Sequence, residues 1–104
     1  MIETLKKIFG IVPSVDYATL LKKGAVILDV RTKGEYSGGH IKGSVNIAVD
    51  QLKNNLNRFP DKSITIITCC ASGMRSASAK RILKSSGYAN VQNGGSWATL
   101  QHKI

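Results

Sequence analysis

Cysteine is scarce in this chain, and what there is lies in one place: Cys69 and Cys70 are its two cysteines in 104 residues. Adjacent thiols build no disulfide framework and lack the spacing of a metal-ligand set, and a bond between neighbours would be strained. The pattern fits a reducing compartment, so the expected location is cytoplasmic, with an exported chain stripped of its leader as the alternative. Long apolar runs are missing too. The stretch Ile8 to Val12 is interrupted by Gly10 and closed by Pro13, too short for a membrane span or a signal-peptide core, although Lys6 and Lys7 precede it. No membrane association is expected. Acidic residues number six against fifteen Lys and Arg, a formal charge of +9, and aromatics also number six. Such an excess attracts small anions, acidic proteins or nucleic acid. The bases are scattered as pairs (Lys6-Lys7, Lys22-Lys23, Lys80-Arg81), no nucleic-acid motif accompanies them, and there are few rings to stack bases, so nucleic-acid binding is not expected. Repeats, low-complexity segments and interdomain linkers are absent from the sequence. Residues 1–104 are read as one domain, expected as a monomer, with a core of its own.

What is present is organised around Ile64 to Ser76, ITIITCCASGMRS. Ile64 to Thr68 is a short β-branched run, the signature of a buried strand. From Arg75 onward Ala79, Ile82 and Leu83 share one face and Lys80, Arg81 and Lys84 the other, which predicts an amphipathic helix. Between them lies the turn Cys70-Ala71-Ser72-Gly73-Met74-Arg75. A helix start leaves backbone N–H groups unpaired and carries the positive end of the macrodipole, so a loop curled around it makes an anion site. A cysteine held there has a lowered pKa and a thiolate available near neutral pH. Gly73 lets the backbone bend, small Ala71 and Ser72 leave the pocket open, and Arg75 adds positive charge. Cys70 is therefore read as a nucleophile. Cys69 ends the strand pointing the other way and is read as a packing residue.

The motif Cys-x-Ser-Gly-x-Arg-Ser after a hydrophobic strand resembles the active-site loop of single-domain rhodaneses, a family of sulfurtransferases. Two further stretches carry the resemblance: Leu28-Asp29-Val30-Arg31 through Glu35-Tyr36 to Gly39-His40-Ile41-Lys42-Gly43-Ser44-Val45-Asn46-Ile47, and Gly87-Tyr88-Ala89-Asn90-Val91 followed by Gly94-Gly95. Together they run over most of the chain in the family's order.

Elsewhere the pattern alternates strand and helix. Ile2, Leu5, Ile8 and Phe9 place one apolar face on a helix over Met1 to Val12. Ser14 is the expected N-cap of a helix through Tyr17, Leu20 and Leu21, closed by Gly24. Ala25 to Val30 and Ser44 to Ile47 read as strands. Asp50 begins a weak helix with Leu52, Leu56 and Phe59 that ends at Pro60. Tyr88 to Gln92 reads as the last strand, Asn93-Gly94-Gly95 as a turn, and Ser96 as the cap of a short helix holding Trp97 and Leu100. The expected fold class is α/β, a small parallel sheet flanked by helices on both faces, with sites at the carboxyl ends of strands. Asp29, Arg31 and Glu35 are read as a structural ion-pair network supporting the loops, because charges near a core are normally paired. The resemblance assigns His40 a structural loop role as well.

The resemblance implies a two-step transfer. Cys70 takes sulfane sulfur from a small anionic donor such as thiosulfate, becomes a persulfide, and passes the sulfur to cyanide, a thiol or a partner protein's cysteine. The N–H groups from Ala71 to Ser76, through Ser72, Gly73, Met74 and Arg75, would stabilise the bound sulfur. No metal and no organic cofactor is implied. Two alternatives stay open: a sulfur-carrier or redox module that does not turn over, and a phosphatase or arsenate reductase of the same fold. Four residues separate Cys70 from Arg75, one fewer than in the Cys-x5-Arg loop of protein phosphatases, which favours a cradle for sulfur over one for phosphate.

Overall fold

A computed structural model describes residues 15–104. The helix expected over Met1 to Val12 and the Ser14 cap lie outside the described residues. Helix α1 (Tyr17–Lys22) is capped by Asp16, whose carboxylate accepts the Thr19 N–H, two positions beyond the serine expected from sequence. Then follow β1 (Val26–Asp29), α2 (Lys33–Ser37), β2 (Val45–Asn46), a 3₁₀ helix (Val49–Arg58), β3 (Ile66–Cys70), α3 (Met74–Ser85), β4 (Val91–Ser96) and α4 (Trp97–Gln101).

The strands form one four-stranded sheet in the order β2-β1-β3-β4, every pair parallel. β3 sits between β1 and β4 and is buried along its whole length, the position its β-branched run demands. Alternate residues of the central strands feed two separate cores. On one face Leu28, Ile66 and Cys70 pack with Ala79 and Leu83 of α3, Leu52 and Phe59 from the 3₁₀ region, and Tyr88. On the other, Ile27, Ile67 and Cys69 pack with Leu100 of α4 and with Tyr17, Leu20 and Leu21 of α1. Helices thus cover both faces, as the alternating pattern predicts. Each fully buried Leu or Ile contributes about 1.5–3 kcal/mol.

Several elements depart from the sequence reading for physical reasons. The segment after Ala48 is a 3₁₀ helix, broken by non-helical backbone at Asn55; its asparagines favour local side-chain bonds over an α-helical ladder, and Asn55 Nδ2 donates to the Gln51 carbonyl at 2.8 Å. Leu52 nonetheless anchors it fully buried. Tyr88 precedes the last strand and fills the core, its hydroxyl donating to the Leu56 and Phe59 carbonyls. Asn93-Gly94-Gly95, expected as a turn, is the body of β4. Thr68 pairs with Asn93 while Cys70 pairs with Ser96, so β4 carries one extra residue there. The bulge holds Gly95 at a φ of +78°, and a Cβ on Gly94 would stand 2.9 Å from both the Thr68 carbonyl and Leu100 Cδ2. Glycine is required by that contact. Beyond it Ser96 caps α4 as expected, its side chain accepting the Thr99 N–H.

Candidate active site

The site grows from the junction of β3 and α3. β3 ends at Cys70, three residues turn the chain, and α3 begins at Met74. Gly73 makes the turn with a φ of +103°, where a Cβ would also stand 3.5 Å from Gly95. The curl points backbone donors at a single sulfur. The Gly73 N–H donates to Cys70 Sγ at 2.9 Å and the Ser76 N–H at 3.4 Å, while the Ser76 hydroxyl lies 3.6 Å away. Burial raises the Cys70 pKa, but the Ser76 hydroxyl and the N–H groups of Ser76, Gly73 and Ser72 outweigh it, and the net shift is below the ordinary 9.0. Hydrogen bonds to the charged form cause this.

Its neighbour Cys69 faces the opposite core. There desolvation, followed by the Asp29 charge, pushes its thiol up to about 12. Two adjacent cysteines thus differ in chemistry because strand alternation sends them to different surroundings.

The residues singled out from sequence fall into two groups. Ala71 and Ser72 are exposed at the loop's tip, Gly73 is half-buried, Met74 is exposed, and Ser76 is buried beneath Cys70. Arg75 turns sideways and forms a two-pronged ion pair with Glu35, Nη1 to Oε1 at 2.7 Å and Nη2 to Oε2 at 2.9 Å. The expected Asp29–Arg31–Glu35 trio is therefore two pairs. Arg31 binds Asp29 through Nε and Nη2, the shortest contact being 2.6 Å, and both side chains are buried. It reaches only the backbone carbonyl of Glu35, at 3.3 Å, and donates to the Gly39 carbonyl at 2.7 Å. Its guanidinium also lies over the Trp97 ring, 4.7 Å from the centroid. Glu35 has a second attachment, a capping box with Thr32 that starts α2. The Thr-x-x-Glu spacing was readable as such a box.

Held by Arg75 first and by the Thr32 N–H next, the Glu35 carboxyl is lowered from 4.5 to about 2. His40 stacks on Tyr36 and shares a 2.8 Å contact between Nδ1 and the Tyr36 carbonyl, away from the loop's bonding network. Among the described residues no three His, Cys, Asp or Glu side chains gather to hold a metal, and no helix is long and apolar enough to cross a membrane.

One participant, Asn93, reads from sequence only as part of a turn. Asn93 Oδ1 lies 2.6 Å from the Ser76 hydroxyl and accepts the Gly95 N–H at 2.9 Å, while its Nδ2 donates to the Gly73 carbonyl at 3.4 Å. The β4 bulge aims this side chain at the loop, a usual task of bulges beside sites. From beneath, Thr68 donates its hydroxyl proton to the Ser76 carbonyl at 2.9 Å. The cradle is thus pinned from β3, β4 and α2.

Comparison with known proteins identifies the family and supports the fold. The chain belongs to the rhodanese-like domain family, whose profile matches residues 15–97. Thiosulfate sulfurtransferase PspE of Escherichia coli (strain K12) is 36% identical over 69 residues, covering 65% of this chain and 66% of the relative, so just under two thirds of that protein is spanned. Among solved structures, a rhodanese with anions from E. coli superposes with a TM-score of 0.69 at 33% identity, covering 72% of this chain and 89% of that one. The human single-domain sulfurtransferase TSTD1 gives 0.75 at 27% identity, covering 89% and 98%.

Proposed function

We propose that this protein is a sulfurtransferase working through a Cys70 persulfide, with thiosulfate as one donor. The observation that carries the reading is the convergence of the Gly73 and Ser76 N–H groups and the Ser76 hydroxyl on one buried sulfur whose pKa is lowered. Cys70 thiolate attacks the outer sulfur of thiosulfate. A bond forms from Sγ to that sulfur, the donor's S–S bond breaks, and sulfite leaves with the electron pair. The negative charge of the enzyme now rests on the outer sulfur, within the loop from Ala71 to Ser76, whose N–H groups stabilise it. Cyanide, a small thiol or a protein thiol then attacks the outer sulfur, and Cys70 departs as thiolate. Arg75, tied to Glu35, holds the first turn of α3 in register with the cradle, and the Asp29–Arg31 pair supports the ends of β1 and α2. Action on soluble cytoplasmic donors and acceptors, by a monomer, completes the proposal.

The test is intact-protein mass spectrometry after incubation with thiosulfate, and separately with mercaptopyruvate, for wild type, Cys70→Ser and Cys69→Ser. One added sulfur atom that cyanide removes, missing only from Cys70→Ser, is the expected result. No sulfur on wild type from either donor would overturn it and direct attention to phosphate-ester hydrolysis.

A further inference from the structure

Beside the cradle, α3 shows a face whose outer side chains, Met74, Ser78 and Arg81, make no hydrogen bond with Cys70. Met74, Ser78 and Arg81 recur at helical spacing along one side and, with Arg75 and Ala77, line a shallow depression of about 400 Å³. Met74 is 79% exposed, far above the other large apolar side chains found at the surface among the described residues, Val15 at 38% and Ile104 at 43%. The helix contains four bases, Arg75, Lys80, Arg81 and Lys84, and no acid. Of these, Arg75 alone has a carboxylate partner among the described residues. Arg81 is exposed and makes only a 3.0 Å bond to the Ser78 hydroxyl. An exposed thioether beside Arg81, a base with no carboxylate partner among the described residues, on a helix that carries no acid is a poor surface to leave in water and a good one for binding an adaptable, negatively charged segment.

The reacting sulfur adds a requirement. Cys70 is fully buried, so only the outer atom of a persulfide approaches the loop's mouth, and a thiol carried on a polypeptide must be held there by contacts outside the cradle. Resting on the sulfur-transfer reading above, we propose that the Met74–Arg81 face docks an acidic polypeptide segment carrying the acceptor cysteine. The acceptor's thiolate attacks the outer sulfur, a persulfide forms on the acceptor, the Sγ–S bond breaks, and Cys70 leaves as thiolate; no external oxidant or reductant enters. A polypeptide is favoured over nucleic acid because the face offers a methionine and no aromatic ring for base stacking, and because a cysteine on a polypeptide supplies a thiol that can take the sulfur.

The experiment loads the full-length protein with sulfur from thiosulfate and follows sulfur delivery to two short synthetic peptides. Each bears one cysteine and one leucine, flanked by glutamates in one and by lysines in the other. The acidic peptide should accept at least about tenfold faster at low salt, with the advantage shrinking as salt rises. Arg81→Glu should abolish or invert the preference while loading by thiosulfate and discharge by cyanide stay unchanged. Equal rates for the two peptides, or a preference indifferent to Arg81→Glu, overturns the docking proposal. So does a short oligonucleotide that binds this face in an Arg81-dependent manner while the peptides remain undiscriminated. Absence of any loaded sulfur would instead be a failure of the sulfur-transfer reading, recognisable before a peptide is added.

Discussion

The Ser76 hydroxyl stands between two partners, 2.6 Å from Asn93 Oδ1 and 3.6 Å from Cys70 Sγ. Asn93 Oδ1 accepts the Ser76 hydroxyl proton and thereby fixes the side chain that lies, beside the donating Ser76 N–H, against Cys70 Sγ. Ser76→Ala removes the hydroxyl that helps to hold the Cys70 pKa below its ordinary value, so that pKa should rise. Asn93→Asp keeps the shape but places a carboxylate one hydroxyl away from the thiolate, and a like charge also raises that pKa. The pH dependence of Cys70 alkylation by iodoacetamide checks both. An unchanged midpoint in either variant would show that the backbone donors alone set the thiolate.

Glu35 and Arg75 join α2 to the first turn of α3, and their bond has a defined pH window. The folded-state pKa of Glu35 is depressed from 4.5 to about 2. Its contribution to stability is therefore fully present above 4.5 and is lost as pH falls through about 2. Over that interval wild type should lose more stability than Glu35→Gln, measured as urea midpoints at stepped pH. At neutral pH, Glu35→Gln should slow sulfur transfer by about tenfold, since a small misplacement of catalytic groups costs up to about a hundredfold, while circular dichroism stays native.

The Asp29–Arg31 pair is different in kind because it is buried, at 0% and 4% exposure. Removing one member strands the other charge, which costs about 3–5 kcal/mol. Arg31→Ala also deletes the bond to the Gly39 carbonyl and the guanidinium lying over Trp97. Chemical denaturation should place Arg31→Ala and Asp29→Asn well below wild type, and the double variant should be less unstable than the sum of the two. Strict additivity would mean that the two side chains are not energetically coupled.

The sheet, its central strand and the turn around Cys70 were legible because each rests on a local signal: a β-branched run, a helical period, and a glycine where the backbone must turn left-handed. The opposite facing of Cys69 and Cys70 follows from strand alternation and was legible too. What the sequence concealed is made by register and long-range pairing. Asn93 sits in Asn-Gly-Gly, which reads as a turn, and only the offset between Thr68–Asn93 and Cys70–Ser96 makes it a bulged strand aimed at the loop. Glu35 looks like a partner for Arg31 because both follow β1 closely, but its carboxylate meets Arg75, forty residues further on. The asparagines after Asp50 weakened an α-helix correctly, yet the 3₁₀ alternative that still buries Leu52 depends on packing against α3 and β3 and has no local signature.

Cys69 offers the cleanest separation of packing from chemistry. Its thiol is fully buried in the core beneath α1 and α4 and is pushed up to about 12, so at neutral pH it is almost entirely protonated and cannot serve as a nucleophile. Cys69→Ala removes one buried sulfur from a small cluster and should cost about 1–2 kcal/mol through lost contact and cavity. Persulfide loading at Cys70 and discharge to cyanide should continue at the wild-type rate, because the donors around Sγ all come from the far face of the sheet. The pairing of the two measurements matters: a lowered urea midpoint with intact sulfur transfer assigns Cys69 to the core. A Cys69→Ala protein that folds normally but no longer accepts or releases sulfur would instead make it a second working thiol, and the two faces of β3 would then have to communicate during turnover.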